Sequence, residues 1–201
     1  MKVQSSIIEN KYLRVKSINI GACLYEVYDK QKKINLILNL GSKKNYSNKN
    51  FYVGATCGRY AGRISNSRFK IKKKIYRLDG NEGRNTLHGG KIGFDRLEWK
   101  IHHHSKAKII YQLLSKNLDQ GFPGDLNSQC IFEIKNKSLF IIYQYKSNKL
   151  THVSLTNHSY WNLNKNKKET IFNHELKINS EKYLEVNNKL IPNGKFKKVK
   201  N

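Results

Sequence analysis

The sequence predicts an all-β protein, a large antiparallel β-sandwich, from three observations. Most segments alternate polar and apolar residues with a period of two, or form short β-branched and aromatic runs that end at Gly, Asn or Lys. Apolar residues at helical spacing are nearly absent. The 201 residues include only two prolines, Pro123 and Pro192. Many short strands at turn spacing favour two packed antiparallel sheets.

The strands predicted most clearly lie in the middle of the chain and are residues 69–72, 75–78, 108–114, 129–134 and 138–145. The second of these ends at Asp79-Gly80, a turn signal. The last two are joined by the polar segment Lys135-Asn136-Lys137, so they predict a β-hairpin. The sequence shows neither an internal repeat nor a long linker.

Length and composition suit one globular domain over residues 1–201, since 38% of the residues are hydrophobic and can bury a core. No window approaches the roughly 18 apolar residues of a membrane span, and the first residues lack an apolar signal core. We therefore expect a soluble cytoplasmic protein without a membrane partner. Cysteines number three and form no CxxC pair, so they predict buried thiols rather than disulfides or a zinc site.

The charge balance would ordinarily suggest a nucleic-acid partner, because 39 Lys and Arg against 14 Asp and Glu give a net charge of +25. The lysines, however, are scattered in short runs among Asn and Ile and are not interleaved with a set of stacking aromatic residues. A Lys, Asn and Ile bias of this kind is typical of an AT-rich genome. We therefore do not expect nucleic acid as a partner.

Glycines and polar residues that could bind a ligand or take part in catalysis cluster in three segments, which are residues 54–64, 85–95 and 156–163. These segments contain two histidines, two arginines and several aromatic residues on irregular backbone. Arginine offers a rigid fork of donors, neutral histidine both donates and accepts, and aromatic rings pack on the apolar face of a sugar. The set predicts a site for a polyhydroxylated ligand. No phosphate-binding glycine loop is present.

Structural explanations compete with this interpretation. A single histidine beside a strand is more often a hydrogen-bonded structural residue than a catalyst. Taken separately, His88 and His158 could each have such a structural role. The run His102-His103-His104 could be taken for a metal site. Adjacent side chains on a strand point to opposite faces, however, and no acidic residue is close in sequence. We predict no metal site.

Three motifs occur in this chain in the order found in aldose 1-epimerases, and the chain resembles that family from about residue 21 onward. The motifs are Gly58-Arg59-Tyr60-Ala61-Gly62-Arg63-Ile64, Leu87-His88-Gly89-Gly90-Lys91-Ile92-Gly93-Phe94-Asp95 and Thr156-Asn157-His158-Ser159-Tyr160-Trp161-Asn162-Leu163. Residues 119–124 and 191–194 also resemble the family. The resemblance implies a galactose mutarotase-like β-sandwich that interconverts the α and β anomers of hexoses such as glucose and galactose, with no metal and no cofactor.

The resemblance also implies roles for individual residues. In the family a carboxylate removes the proton of the C1 hydroxyl while a histidine protonates the ring oxygen, and His158 matches that acid. Arg63 and His88 match residues that hold the sugar, and Tyr160 lines the same cleft. Gly62 occupies a further substrate-binding position of the family, but the family usually has Asn there, so one contact to a hydroxyl is expected to be lost.

A second departure concerns the C-terminal third of the family, which carries the catalytic glutamate and a sugar-binding aspartate. Neither motif is found in these 201 residues. We therefore expect an incomplete sandwich with C-terminal strands missing, impaired activity, and a second polypeptide as a candidate to complete the fold. The alternatives are a non-catalytic carbohydrate-binding β-sandwich and a basic nucleic-acid-binding protein.

Overall fold

The structure, a computed structural model, describes residues 2–46 and 52–199, and its regular elements are almost entirely strands. The strands are β1 (Ser5–Glu9), β2 (Leu13–Ile18), β3 (Cys23–Asp29), β4 (Ile34–Asn35), β5 (Thr56–Cys57), β6 (Arg63–Ile64), β7 (Arg68–Ile71), β8 (Lys74–Arg77), β9 (Thr86–Leu87), β10 (Lys100–His104), β11 (Lys108–Ser115), β12 (Leu126–Lys135), β13 (Ser138–Ser147), β14 (Thr156–Asn157), β15 (Lys182–Val186) and β16 (Pro192–Lys198). Short 3₁₀ turns occupy Lys43–Tyr46, Ser65–Ser67, Phe94–Arg96 and Asp119–Gly121. The all-β prediction is confirmed.

Two antiparallel four-stranded sheets form the body of the fold, in the orders β1-β2-β3-β4 and β10-β11-β12-β13. Each sheet is a meander, because every strand pairs with its neighbour in sequence. Burial alternates along the inner strands: Ile109, Tyr111 and Leu113 of β11 are buried while the residues between them are not. This alternation is the pattern of a sheet with one face against a core.

The two sheets pack face to face and share one hydrophobic core. Ile8, Val15 and Leu24 of the first sheet belong to the same buried cluster as Tyr111 and Phe132 of the second. A buried hydrogen bond of 2.8 Å between the hydroxyls of Ser17 and Tyr111 also joins the sheets. Apolar burial and this satisfied polar contact together fix the sandwich.

The individual strand predictions are confirmed. Residues 69–72 and 75–78 correspond to β7 and β8, and residues 108–114 correspond to β11. The predicted hairpin is formed by β12 and β13, whose register places Lys135 opposite Ser138. Asn136 in its turn has a φ of +53°, a conformation that asparagine tolerates better than most residues.

Three short strand contacts bring the sequence motifs together at one end of the fold. Strand β5 pairs with β14, and β6 pairs with β9, so that Arg63 lies opposite Leu87. A parallel bridge joins Tyr60 to Ser154. Because these contacts link residues 54–64 to the second and third motifs or to residues beside them, segments about 25 to 100 residues apart in sequence form one surface.

The C-terminal part of the described chain contrasts with this packed body. Among residues 2–46 and 52–199, strands β15 and β16 pair only with each other, and every residue of β16 is exposed. Phe172, Leu176 and Phe196 are 93%, 85% and 69% exposed. The segment thus presents large apolar side chains to solvent, which soluble monomers rarely do over a continuous stretch.

The cysteine prediction is confirmed as far as burial goes. Cys23, Cys57 and Cys130 are all buried, and burial raises the pKa of the Cys130 thiol to about 12. Over residues 2–46 and 52–199, no helix has the length and apolar character needed to cross a membrane.

Candidate active site

Four rings meet where the three motifs converge, and they define the candidate site. The imidazoles of His88 and His158 lie edge to face, with ring centroids 5.2 Å apart and planes at 89°. The ring of Tyr52 lies beside both imidazoles, with its centroid 4.5 Å from that of His88 and 5.7 Å from that of His158. Tyr160 lies 5.1 Å from His158. The structure therefore brings together three of the five predicted site residues around a tyrosine that sequence reasoning did not select.

His158 is held by its backbone, immediately after β14. Its N–H donates to the carbonyl of Ala55 at 2.8 Å, and its carbonyl accepts from the N–H of Gly54 at 2.9 Å. These bonds extend the β5–β14 pairing by one residue, so the third motif is anchored to the first. The imidazole itself remains only half-buried and lies among the other rings.

His88 is held even more closely by Gly62. The N–H of His88 donates to the carbonyl of Gly62, and Nδ1 of His88 accepts from the N–H of Gly62, both at 3.0 Å. His88 has a φ of +50° and is followed by Gly89, where a Cβ would lie 1.7 Å from the carbonyl oxygen of Gly58. Glycine is required at position 89 because the two motif loops pass so close.

The environment of His88 keeps its imidazole neutral at neutral pH. Burial is the largest cause, followed by the neighbouring His158 and Arg63, and together they lower the pKa of His88 to about 4 from its ordinary 6.5. Since Nδ1 accepts a hydrogen bond, the proton of the neutral ring resides on Nε2. His88 therefore presents an N–H donor on the side away from Gly62.

Arg63 and Glu82 form a two-point ion pair beside the rings. Nε of Arg63 donates to Oε2 of Glu82 and Nη2 donates to Oε1, both at 2.7 Å. The two side chains are 23% and 36% exposed. The carboxylate raises the pKa of Arg63, so the guanidinium stays charged, and its charge is felt by His88.

Two open cavities border this ion pair. One, of about 770 Å³, is lined by Arg63, Ser65, Asn66, Glu82, Gly83, Arg84, Asn85, Asn187, Asn188, Lys189, Leu190 and Ile191. The other, of about 590 Å³, is lined by Tyr52, Asn81, Glu82, Leu87, Lys91 and Arg96. Both volumes fall in the range of about 300–1,000 Å³ that is typical of small-molecule sites.

Gly62 has room for a side chain but an unusual backbone. A Cβ there would meet nothing within 4 Å, and φ is +88°. Its two backbone bonds to His88 need no side chain. The predicted role of Gly62 in sugar binding thus stays a prediction, while its role in holding His88 is a feature of the structure.

The two arginines of the first motif occupy different environments. Arg59 is buried and donates to the hydroxyl of Ser115 and to the carbonyls of Ser115, Lys116, Phe122, Pro123 and Gly124. It thereby fastens residues 115–124 to the first motif. Arg59 is structural, whereas Arg63 four residues later lines the larger of the two cavities.

Carboxylates on the motif loops are already engaged. Asp95 is buried, with Arg96 Nε at 3.7 Å from it. Asp119 accepts from the Ser115 hydroxyl, and Asp125 accepts from the N–H of Asn117 at 2.7 Å. In the described part of the chain, no group of three or more His, Cys, Asp or Glu is placed to hold a metal ion, and the three histidines at 102–104 lie exposed on β10.

Comparison with known proteins identifies the family. The profile of the aldose 1-epimerase family matches residues 4–201. The chain belongs to the aldose 1-epimerase family. A galactose mutarotase from Sus scrofa is 34% identical over 200 residues, which are 98% of this chain and 58% of that protein. An aldose 1-epimerase from Haemophilus influenzae is 35% identical over 196 residues, 94% of this chain and 56% of that protein.

Solved structures of the family share the fold. A homologue of aldose epimerase from C. elegans matches with a TM-score of 0.91 and 27% identity, covering 98% of this chain and 62% of the other. A galactose 1-epimerase from Lactobacillus acidophilus matches with a TM-score of 0.82 and 26% identity, covering 98% and 64%. This chain thus spans less than two thirds of the length of these aldose 1-epimerase relatives.

Two residues of the site were missed by sequence reasoning. Tyr52 follows an Asn- and Lys-rich stretch and precedes the first motif, with nothing in the local pattern to distinguish it from a strand tyrosine. Glu82 lies in the turn Asp79-Gly80-Asn81-Glu82-Gly83 just before the second motif. An acidic residue in so basic a chain, within six residues of a motif histidine, was the available signal for Glu82.

Proposed function

We propose that this chain forms the sugar-binding and acid-bearing part of an aldose 1-epimerase that acts on hexoses such as glucose and galactose. The observation that carries the proposal is the close pair of imidazoles, His88 and His158, with centroids 5.2 Å apart, one of which is set neutral by its surroundings. Mutarotation needs an acid that protonates the ring oxygen and a base that takes the proton of the C1 hydroxyl. A neutral imidazole beside the acid can hold the sugar's oxygens.

His88 suits the binding role. With Nδ1 occupied by the N–H of Gly62 and a pKa of about 4, its Nε2–H donates a hydrogen bond to a sugar oxygen while the ring stays uncharged. Arg63, which pairs with Leu87 next to His88, adds further N–H donors. Tyr52 and Tyr160 supply apolar ring faces for packing against the pyranose.

His158 is proposed as the acid that protonates the ring oxygen as the C1–O bond opens. A general acid must hold its proton near the working pH, and His88, with its pKa of about 4, is deprotonated there. His158 is the other imidazole of the pair and is the residue that matches the family's acid. Ring opening gives the aldehyde, rotation about C1–C2 follows, and reclosure yields the other anomer.

The base that removes the proton of the C1 hydroxyl is proposed to come from the part of the relatives that lies beyond the matched segment. Within the described residues, Glu82 is the carboxylate at the cavities, and both of its oxygens are bound by Arg63. Both oxygens of this carboxylate are thus already engaged in the folded chain. The activity of the site is therefore expected to depend on a further carboxylate.

The test is polarimetry of freshly dissolved α-D-glucose and α-D-galactose, with the 201-residue chain and with a fusion to the remaining C-terminal segment of the Haemophilus influenzae relative. We expect the fusion to accelerate mutarotation, His158→Ala in the fusion to abolish the acceleration, and His103→Ala, an exposed histidine of β10, to leave it unchanged. Hexose binding without acceleration in either form would instead identify a carbohydrate-binding protein.

A further inference from the structure

We propose that Glu82 is a positioning residue for Arg63: it fixes the guanidinium and cancels its charge, so that the site selects neutral hexoses over hexose phosphates. The inference rests on the proposed function and adds a residue and a specificity to it. Its basis is the geometry of the ion pair, its place in the cavities and the charges around it.

The pair is built to hold one orientation of Arg63. Two contacts of 2.7 Å, from Nε and Nη2 to the two carboxylate oxygens, fix the plane of the guanidinium as well as its position. Arginine has five N–H donors, so about three remain for a ligand after this pairing. Glu82 occupies the Nε–Nη2 edge, one of the two edges at which a guanidinium can make a two-point contact with an oxyanion.

Glu82 is itself held firmly by its loop. Its N–H donates to the carbonyl of Asn85 at 3.1 Å, and its carbonyl accepts from the N–H of Asn85 at 2.9 Å. The neighbouring Asn81 donates to the carbonyls of Leu87 and Gly90, both at 3.0 Å, and accepts from the N–H of Leu87 at 2.7 Å. The loop therefore ties Glu82 to the backbone on either side of His88.

The charges that line the cavities make Glu82 decisive for selectivity. Among the described lining residues Glu82 is the acidic one, and it faces both cavities. The cationic side chains there are Arg63, Arg84, Lys189, Lys91 and Arg96. Without Glu82, the positive charge of Arg63 would be uncompensated on a surface that is already positive. Nε and Nη2 of Arg63 would also be free to bind an oxyanion at two points.

Neutral and phosphorylated sugars respond to this arrangement in opposite ways. A hydroxyl accepts single hydrogen bonds from correctly aimed N–H groups, so it benefits from a fixed guanidinium and gains little from net charge. A phosphate gains most from an unpaired arginine, which it binds at two points with charge assistance. Glu82 thus favours binding of a sugar hydroxyl to Arg63 and disfavours binding of a phosphate to Arg63.

The experiment measures dissociation constants of the 201-residue chain for glucose and for glucose 6-phosphate by NMR titration, with inorganic phosphate as a third ligand. We expect Glu82→Gln to weaken glucose binding and strengthen glucose 6-phosphate binding, changing the ratio of the two constants by about tenfold or more, since the lost charge lies within contact distance of Arg63. Glu82→Asp, which retains the charge, should keep the preference for glucose. The same Glu82→Gln change in an Arg63→Ala background should leave the ratio unchanged.

Glu26 provides a matched control, because it pairs with Nε of Arg14 at 2.8 Å on the sheet formed by β2 and β3. Glu26→Gln should not alter the ratio. An unchanged ratio in Glu82→Gln, or equal weakening of both ligands, would overturn the inference and leave Glu82 a purely structural residue while the proposed function stands. Failure of the unmodified chain to bind either glucose or galactose would overturn the proposed function and, with it, this inference.

Discussion

Nδ1 of His88 lies 3.0 Å from the backbone nitrogen of Gly62 and accepts its hydrogen. A backbone amide cannot rotate away or change its protonation, so the bond opposes protonation of Nδ1 in the folded chain. Burial acts in the same direction, and the pKa of His88 falls to about 4. The bond between the two motifs thus fixes the tautomer of His88, while burial, together with the nearby His158 and Arg63, keeps the ring uncharged.

A pH dependence of stability follows from His88. Between about pH 4 and pH 6.5 the unfolded chain carries the proton on this residue and the folded chain does not, so stability rises with pH across that window and falls on acidification. We expect His88→Asn to flatten this part of the stability profile, measured by urea unfolding at several pH values. His103→Asn is the control, and an unflattened profile in His88→Asn would show that His88 is not held neutral.

The two arginines of the first motif should respond differently to replacement by lysine. Arg59→Lys leaves several buried carbonyls without donors, which should lower the free energy of unfolding by about 2–5 kcal/mol. Arg63→Lys changes a half-buried pair and should cost about 1 kcal/mol or less. Urea unfolding measures both.

Hexose binding should follow the opposite order. Arg63→Lys loses the two-point geometry with Glu82 and should weaken glucose binding, while Arg59→Lys should leave binding to the folded fraction intact because Arg59 lines neither of the two cavities beside Arg63. Equal losses of stability and binding in Arg63→Lys would mean that Arg63, too, is structural.

Much of this site could be predicted from the sequence because its residues lie within motifs on irregular backbone. The motifs predict His88, His158, Arg63 and Tyr160, and the strand pairs β5–β14 and β6–β9 account for their convergence. What the sequence could not predict is pairing across loops. Nothing local distinguishes Arg59 from Arg63, and the role of Glu82 arises only from its position opposite Arg63.

Gly62 offers a test of the departure from the family pattern. Gly62→Asn should be accommodated, since a Cβ there meets nothing within 4 Å, at a cost of about 1 kcal/mol for the positive φ. The N–H that serves His88 is retained. We expect the added amide to strengthen glucose binding, and Gly62→Val, which is more strained and lacks the amide, to weaken stability further without that gain.

Should Gly62→Asn bind glucose no better than the unmodified chain in NMR titration, position 62 does not contact the sugar. Its importance would then lie only in the two backbone hydrogen bonds to His88.

The last prediction is that the 201-residue chain by itself turns over slowly, and that fusion to the remaining C-terminal segment of the Haemophilus influenzae relative raises turnover by about 10²–10⁴-fold, the usual contribution of a general base. The same fusion should cover the exposed side chains of Phe172, Leu176 and Phe196 and so reduce binding of a hydrophobic dye.

Ring opening requires two proton transfers on the same bound sugar. One group must take the proton from the C1 hydroxyl while another delivers a proton to the ring oxygen, and His158 cannot readily do both. A base must lie within about 2.6–3.2 Å of that hydroxyl. Asp119 and Asp125, the motif-loop carboxylates that could substitute, accept bonds from Ser115 and Asn117, and Asp95 is buried beside Arg96. Turnover by the unfused chain equal to that of the fusion would contradict this account, and Glu82 would then be the first carboxylate to replace, because it alone among these four borders both cavities.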